Sequence, residues 1–218
     1  MGLRALIFDL DGVIVATDEL HYRSWRRLAD EEGLTFDRAV NARLLGRTRE
    51  DSLDIVAGDR ALSPEQRDQL LDRKQQYFLQ EAQSLSPADI LPGVDRLLDE
   101  ADRRDLPSAV ASSSRNARMV LARLGLTDRF AFIADGSATA RPKPAPDIFL
   151  FVAERLGLPP AQCVVFEDSI AGVTAAYAGG FPVASLGLET PLARWRLATL
   201  EDFSTDELEF WTVDAARG

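Results

Sequence analysis

The sequence predicts an α/β fold in which a doubly wound parallel sheet carries an inserted all-helical domain. Short apolar runs of strand length alternate with stretches of helical periodicity along most of the chain. Strand, helix and strand in succession imply right-handed crossovers, so we expect parallel strands covered by helices on both faces. Residues 16–88 break this alternation because they contain helical patterns and no good strand.

Five apolar runs are predicted to be buried strands of the sheet: Ala5–Phe8, Ser108–Ala111, Ala131–Ala134, Val164–Phe166 and Pro182–Ser185. Apolar residues recur at helical spacing within four stretches between and after them: Val94–Ala101, Val120–Leu124, Ile148–Leu156 and Ile170–Tyr177. The last three stretches run into glycine, the residue that most often ends a helix.

The interrupting segment is predicted to be a helical cap domain of residues 16–88, which leaves 1–15 and 89–218 as the α/β core. Apolar spacing predicts a first helix around Leu20–Leu28 and a last one around Leu70–Phe78, with two shorter helices between them. The turn-rich stretch Ser86–Gly93 is predicted to be the hinge that returns the chain to the core. After Gly187 we expect one edge strand and a last helix.

Composition narrows the class of protein. The chain has 218 residues, of which 46% are hydrophobic and 28% charged, as in ordinary globular domains. Its net charge of −10 argues against a nucleic-acid or anionic-membrane surface, although a local cluster of cations could still bind a small phosphorylated substrate. The single cysteine, Cys163, excludes an intramolecular disulfide, and no apolar run is long enough to span a membrane. We therefore expect a cytoplasmic protein.

Polar side chains of the kinds used in catalysis follow four of the predicted strands. They are Asp9 and Asp11 after the first strand, Ser112 after the second, Lys143 in the loop after the third, and Glu167 and Asp168 after the fourth. Because the carboxyl ends of parallel strands meet at one edge of a sheet, where such folds bind ligands, these residues are expected to share one pocket.

The chemistry of that pocket would suit phosphoryl transfer. A concentration of carboxylates is tolerable beside a cation, and hard oxygen ligands completed by a substrate phosphate suit Mg²⁺. Lys143 and Ser112 would neutralise and orient phosphate oxygens, while one aspartate attacks phosphorus and the other transfers a proton. Taken singly, each feature also fits a turn, a helix cap or an ordinary loop charge; their convergence favours a site.

Several stretches resemble the haloacid dehalogenase superfamily. "FDLDGV", the serine after the second strand, the lysine of "KPAPDIF" and "FEDSIAG" are similar to its four motifs. "DELHYRSW", "LLGRTREDSL", "SPADILPG" and "VASSSRNA" extend the resemblance over nearly the whole chain to the β-phosphoglucomutase branch. The resemblance implies a Rossmann-like core with an inserted helical cap.

The resemblance also implies roles for individual residues. Asp9 would be a metal ligand and the nucleophile that forms an aspartyl phosphate, and Asp11 the general acid/base whose carbonyl also binds Mg²⁺. Asp168 would be a metal ligand, with Glu167 beside it as a ligand or as support. Ser112 and Lys143 would hold the transferring phosphate. Two further groups are implied: Arg49, Ser114, Arg115 and Asn116 for the second phosphate, and Thr17, His21, Gly46 and Lys74 for hinge and cap positions that couple substrate binding to closure.

The cap residues also have simpler readings from the sequence alone. His21 shares a helical face with Trp25 and Leu28, where a core histidine is the ordinary explanation. Lys74 lies among apolar neighbours at helical spacing and could extend its ammonium to solvent. Thr48 and Asp51 fit a capping box, which places Arg49 in the first turn of a helix.

By resemblance, the activity would be an Mg²⁺-dependent phosphomutase that interconverts β-D-glucose 1-phosphate and D-glucose 6-phosphate through glucose 1,6-bisphosphate. The partner would be a small phosphorylated sugar, with neither nucleic acid nor membrane, and the protein a monomer. A sugar-phosphate phosphatase on the same scaffold is the nearest alternative. A phosphoacceptor signalling domain is a further one, although such a module needs neither the helical insertion nor this length.

Overall fold

Six parallel strands form one sheet in the computed structural model, which describes residues 2–44, 47–204 and 206. The sheet order is β3-β2-β1-β4-β5-β6. The strands are β1 Ala5–Phe8, β2 Ser108–Ala111, β3 Phe132–Ala134, β4 Cys163–Glu167, β5 Val183–Leu186 and β6 Trp195–Leu197. The predicted parallel α/β fold is confirmed, and β6 is the edge strand expected after Gly187. The last helix predicted for the tail lies outside the described residues.

Eight α-helices occur in the described part of the chain. They are α1 Asp18–Glu32, α2 Arg38–Ala42, α3 Arg49–Ala57, α4 Pro64–Glu81, α5 Val94–Arg103, α6 Ala117–Arg123, α7 Asp147–Leu156 and α8 Ile170–Ala178. None of the helices in this described part combines the length and apolar character needed to cross a membrane.

The chain divides into two compact units. One comprises Met1–Ala16 and Ser86–Gly218 and contains the sheet, and the other comprises Thr17–Leu85 and contains α1 to α4. The boundaries predicted from the sequence lie after residues 15 and 88. Within the described part of Thr17–Leu85 no strand is formed, and two short helices, α2 and α3, separate the two long ones as the sequence predicted.

The order of the strands creates a crevice at the carboxyl edge of the sheet. The chain leaves β1 toward β2 on one side, while β4 pairs with β1 on the other, so strand order reverses between β1 and β4. Ligands of open α/β sheets bind at this reversal. Phe8 pairs with Phe166 in the parallel register, so the next residues, Asp9 and Glu167, emerge side by side.

Alternate residues of β1 serve the two faces of the sheet, as strand geometry requires. Ala5 and Ile7 join the apolar cluster formed with α7 and α8, whereas Phe8 packs on Phe130 and stacks on Phe166 at a centroid distance of 4.9 Å. Full burial of one such side chain contributes roughly 1.5–3 kcal/mol. The core thus holds β1 and β4 rigidly beneath the crevice.

Helix α8 is present as predicted, but of the three apolar residues whose spacing predicted it, only Val173 is buried. Ile170 and Tyr177 are 59% and 58% exposed. The buried residues are small: Gly172, Val173, Ala175 and Ala176. A Cβ atom on Gly172 would lie 1.8 Å from Glu167 Oε1, so small residues allow α8 to approach the end of β4.

The helical unit has an apolar core of its own. Trp25 and Leu28 of α1 pack with Leu70 and Leu71 of α4. Its surface carries an ion-pair network in which Arg73 of α4 binds the carboxylates of Glu31 and Glu32 of α1. Hydrogen bonds from Tyr77 and then Arg73 lower the pKa of Glu31 to about 2.

Candidate active site

Asp9, Lys143 and Glu167 form a buried cluster at the carboxyl edge of the sheet. The Lys143 ammonium donates to Asp9 Oδ1 at 2.5 Å and to Glu167 Oε1. The Lys143 side chain is only 6% exposed and its ammonium lies 4.7 Å from the centre of the Phe149 ring. Residues that the sequence placed on three different loops therefore meet at one point.

Burial and the neighbouring charges together set the pKa values of Asp9 and Lys143. Desolvation raises the pKa of Asp9 well above its usual range, and the negative charges of Glu167 and Asp11 add to this effect, while Lys143 opposes it. Desolvation alone would lower the pKa of Lys143, but Asp9 and Glu167 outweigh it and keep that pKa above its usual value. Lys143 therefore stays charged, whereas a further cation would favour the ionised form of Asp9.

The Asp11–Gly12 turn lies directly against Asp168. Gly12 has φ of +78°, a conformation that favours glycine, and donates its N–H to Val15 O at 2.8 Å. A Cβ atom here would lie 1.8 Å from Asp168 Oδ2. Two features therefore require glycine at position 12: the positive φ of the backbone and the closeness of the Asp168 carboxylate.

Glu167 has both carboxylate oxygens engaged by the protein. Oε1 accepts from Lys143, and Oε2 accepts from the N–H and the hydroxyl of Ser169 at 2.9 and 2.8 Å. Ser169 also caps α8 by accepting from Gly172 N. Of the two roles expected for Glu167, this geometry favours support of Lys143 over direct metal ligation. Ser169 is not among the residues predicted from the sequence, although a serine just before a helix signals a cap.

Ser112 begins a turn whose hydroxyls shape the backbone. Its Oγ accepts from Ser114 N at 3.0 Å, and Ser114 Oγ accepts from Asn116 N at 3.2 Å. Ser112 itself is buried and Arg115 is exposed. The turn leads directly into α6, and its exposed Arg115 supplies a positive charge that could attract an anion.

His21 and Lys74 meet inside the helical unit. Lys74 Nζ lies 2.7 Å from His21 Nδ1, and the imidazole stacks on Phe78 with centroids 4.3 Å apart. Lys74 is only 8% exposed, so it does not extend to solvent. Burial first, and then the charge of Lys74, lower the pKa of His21 well below its usual value. A neutral imidazole that accepts from the ammonium at Nδ1 accounts for this contact.

The other predicted residues of the helical unit are placed as follows. Thr17 is buried just before α1, and its carbonyl accepts from His21 N at 3.0 Å. Arg49 is the first residue of α3, where Thr48 Oγ1 caps the helix by accepting from Asp51 N, and its guanidinium lies 3.2 Å from Glu50. Gly46 lies outside the described residues.

Comparison with known proteins gives the family. A sequence model described as haloacid dehalogenase-like hydrolase matches residues 3–180. The chain belongs to this family. Its members are enzymes, so the Asp9–Lys143–Glu167 cluster is a candidate catalytic centre of a haloacid dehalogenase-like hydrolase.

Individual relatives differ in the reaction that they are named for. A β-phosphoglucomutase of Bacillus subtilis is 37% identical over 194 residues, which cover 87% of this chain and 86% of that protein. A fructose-1-phosphate phosphatase of Escherichia coli is 34% identical over 194 residues, covering 84% and 96%. The crystal structure of a β-phosphoglucomutase from Clostridium difficile superposes with a TM-score of 0.88 at 31% identity, covering 99% of this chain and 100% of that one.

The oxygen donors at the carboxyl edge of the sheet are of the kind that binds a hard divalent cation. Asp9, Asp11 and Asp168 supply carboxylates, and a cavity of about 290 Å³ borders Gly12 and Asp168. Among the described residues, no group of three or more His, Cys, Asp or Glu side chains is close enough to hold a metal by itself. Mg²⁺ is usually held by one or two carboxylates, with water and substrate phosphate completing its shell, so the donor set is compatible with it.

Proposed function

We propose that this haloacid dehalogenase-like protein is a Mg²⁺-dependent phosphomutase that interconverts β-D-glucose 1-phosphate and D-glucose 6-phosphate. The contact between the Lys143 ammonium and the Asp9 carboxylate carries the proposal. It brings a buried carboxylate next to a fixed positive charge, which is what a phosphorylated aspartate requires. Phosphoryl transfer depends mainly on such positioning and charge neutralisation.

The two aspartates divide the chemistry. An Asp9 oxygen attacks the phosphorus of a sugar bisphosphate, and the bond from phosphorus to the sugar oxygen breaks, giving an aspartyl phosphate. Asp11 gives its proton to the departing sugar oxygen and, in the reverse direction, removes a proton from the attacking sugar hydroxyl. Ser112 and Lys143 hold the phosphoryl oxygens throughout, and Glu167 fixes Lys143.

Mg²⁺ would be held by Asp9, Asp168 and the carbonyl of Asp11, and would supply charge neutralisation for the transferring group. Its charge would also favour the ionised form of Asp9, whose pKa burial raises. The Asp9 carboxylate must be unprotonated to attack, so the second effect bears directly on the nucleophile.

A mutase needs to hold a second phosphate, and three residues after β2 are suited to this. Ser114, Arg115 and Asn116 form the hydrogen-bonded turn at the start of α6, with Arg115 exposed. Arg49 of the helical unit is proposed for the same phosphate because it matches the pattern "GRTRED" in sequence. The 37% identity with a β-phosphoglucomutase supports this choice of reaction.

A sugar-phosphate phosphatase is the second candidate, favoured by the 34% identity with a fructose-1-phosphate phosphatase. It would need the Asp9 centre but no second phosphate site. Water would then attack the aspartyl phosphate in place of a sugar hydroxyl.

The two reactions are separated by incubating the protein with β-D-glucose 1-phosphate, Mg²⁺ and a trace of glucose 1,6-bisphosphate. Formation of glucose 6-phosphate without equivalent inorganic phosphate supports the mutase. Stoichiometric release of inorganic phosphate supports the phosphatase, and inertness toward the sugar phosphate contradicts both.

A further inference from the structure

The turn that follows β3 is packed against the loop that follows β2. Gly136 N donates to Ser114 O at 3.2 Å, and Ser112 N donates to Ala134 O at 3.0 Å. A Cβ atom on Gly136 would lie 2.1 Å from Ser113 O and 3.3 Å from Arg115 N. The Ser113–Arg115 backbone therefore rests directly on the Gly136 Cα.

The Gly136 turn is itself fixed by Asp135. Asp135 Oδ1 accepts from the N–H of Ser137 at 3.0 Å and from its hydroxyl at 2.6 Å, which closes a turn around Gly136. Partial burial would raise the pKa of Asp135, but the two bonds from Ser137 and the charges of Arg118 and Arg115 lower it. The carboxylate is therefore a permanent acceptor for this turn.

Helix α6 is also attached to the end of β3 and to Asp135, through Arg118. Arg118 donates to Ile133 O at 2.7 Å, and its Nε lies 3.9 Å from Asp135 Oδ2. The loop between β2 and α6 is thus held at its start by Ala134, in its middle by Gly136 and at its end by Arg118. Such multiple attachment leaves the loop little freedom to move relative to Ser112.

We propose that Asp135 and Gly136 are positioning residues, which hold Ser114, Arg115 and Asn116 at a fixed place relative to Ser112 and so set the spacing between two phosphate groups of a bound sugar bisphosphate. The inference rests on the proposed function, because it concerns the second phosphate of that reaction. Neither residue touches the substrate. They act through the backbone of the Ser113–Arg115 segment.

The steric contact offers a sharp test, Gly136→Ala. Gly136 does not have a positive φ, so left-handed strain is absent and we expect the effect of alanine to come from the contact with Ser113 O. That carbonyl would have to move by about 1 Å, a displacement that can weaken a positioned interaction by about 100-fold. We expect glucose 1,6-bisphosphate to bind about 10- to 100-fold more weakly, and inorganic phosphate to bind within about threefold of the unchanged protein.

Variants of Asp135 separate turn geometry from charge. Asp135→Asn keeps an oxygen that can accept from Ser137 N, so bisphosphate binding should stay close to that of the unchanged protein. Asp135→Ala removes the acceptor and should behave like Gly136→Ala. Ser137→Ala is the matched control, because it removes only the hydroxyl bond and keeps the backbone one. Calorimetric titration with glucose 1,6-bisphosphate and with inorganic phosphate, beside thermal unfolding of each variant, provides the readout.

The ratio of bisphosphate to phosphate affinity decides the proposal. A ratio unchanged in Gly136→Ala and Asp135→Ala would overturn it, and so would equal losses in Asp135→Asn and Asp135→Ala, which would indicate a charge effect on Arg115. An unchanged protein that binds bisphosphate no better than phosphate would overturn it as well. Absence of mutase turnover in the unchanged protein contradicts the proposed function separately, since the affinity ratio is measured without turnover.

Discussion

The Lys143 ammonium lies 2.5 Å from the Asp9 carboxylate, although 134 positions separate the two residues in the chain. Glu167 accepts from the same ammonium, so one cation serves two buried acids. A charge buried without its partner is costly, and the three residues therefore depend on one another for stability as well as for chemistry.

Replacing Asp9, the proposed nucleophile, should separate activity from stability. Asp9→Asn removes the attacking oxygen, so we expect turnover to fall by at least about 10³-fold. The fold should be retained because the amide keeps an oxygen for Lys143 and removes one carboxyl from an acidic cluster. Phosphoenzyme trapping and thermal unfolding test this together. Residual turnover above a few per cent of the unchanged protein would show that Asp9 is not the nucleophile.

Removing the cation should damage the fold. Lys143→Met leaves Asp9 and Glu167 buried without their shared partner, and breaking such a pair typically costs about 3–5 kcal/mol. We expect a loss of that order in the free energy of denaturant unfolding at pH 7, together with loss of turnover. The exposed Arg141→Met, two positions away, is the control and should change the unfolding free energy by less than about 1 kcal/mol. Equal losses in both variants would contradict a special role for Lys143.

The sequence could predict this cluster because it follows from topology. Parallel strands bring their carboxyl ends to one edge, so the positions of Asp9, Lys143 and Glu167 after three strands predict that they meet. Contacts between loops could not be predicted in the same way. The packing of Gly136 on Ser113 depends on how two loops approach in space, and local periodicity carries no information about that distance. The buried face of α8 was only partly predictable for a similar reason, since the proximity of Glu167 to Gly172 leaves no room for a side chain there.

Replacing Gly12 should disturb the Asp168 carboxylate and lower stability. In Gly12→Ala the methyl group would meet the Asp168 carboxylate, in a backbone conformation with φ of +78°. We expect a weaker response to Mg²⁺, seen as a higher concentration for half-maximal activation, and a lower unfolding temperature. Gly33→Ala is the matched control, because Gly33 also has a positive φ, of +65°, but open space where its Cβ would lie. Its cost should be about 1–2 kcal/mol of backbone strain, with an unchanged Mg²⁺ response.

Arg49 provides a test of the proposed second phosphate site. Loss of a charge-assisted hydrogen bond costs about 1.5–3 kcal/mol, so Arg49→Ala should reduce mutase turnover at limiting bisphosphate by about 10- to 100-fold. Hydrolysis of p-nitrophenyl phosphate, which has a single phosphate, should fall far less. Arg43→Ala, an exposed arginine of the same unit, is the control. Parallel losses in both assays would argue that Arg49 acts on folding and not on the second phosphate.

His21 predicts a pH dependence that can be read directly, because it is the single histidine of the chain. Burial and then Lys74 hold its pKa well below 6.5, so the folded protein keeps the imidazole neutral where the unfolded chain already binds a proton. Above pH 6.5 His21 is neutral in both states, so its titration does not affect the free energy of unfolding. As the pH falls from 6.5 to the pKa of the folded state, the unfolded chain binds the proton more readily and the fold is increasingly destabilised. The one imidazole signal in the NMR spectrum should titrate with a midpoint well below 6.5. Lys74→Met removes the second cause and should raise that midpoint while leaving it below 6.5, since burial remains. A midpoint at or above 6.5 in the unchanged protein would mean that the buried contact with Lys74 does not persist in solution.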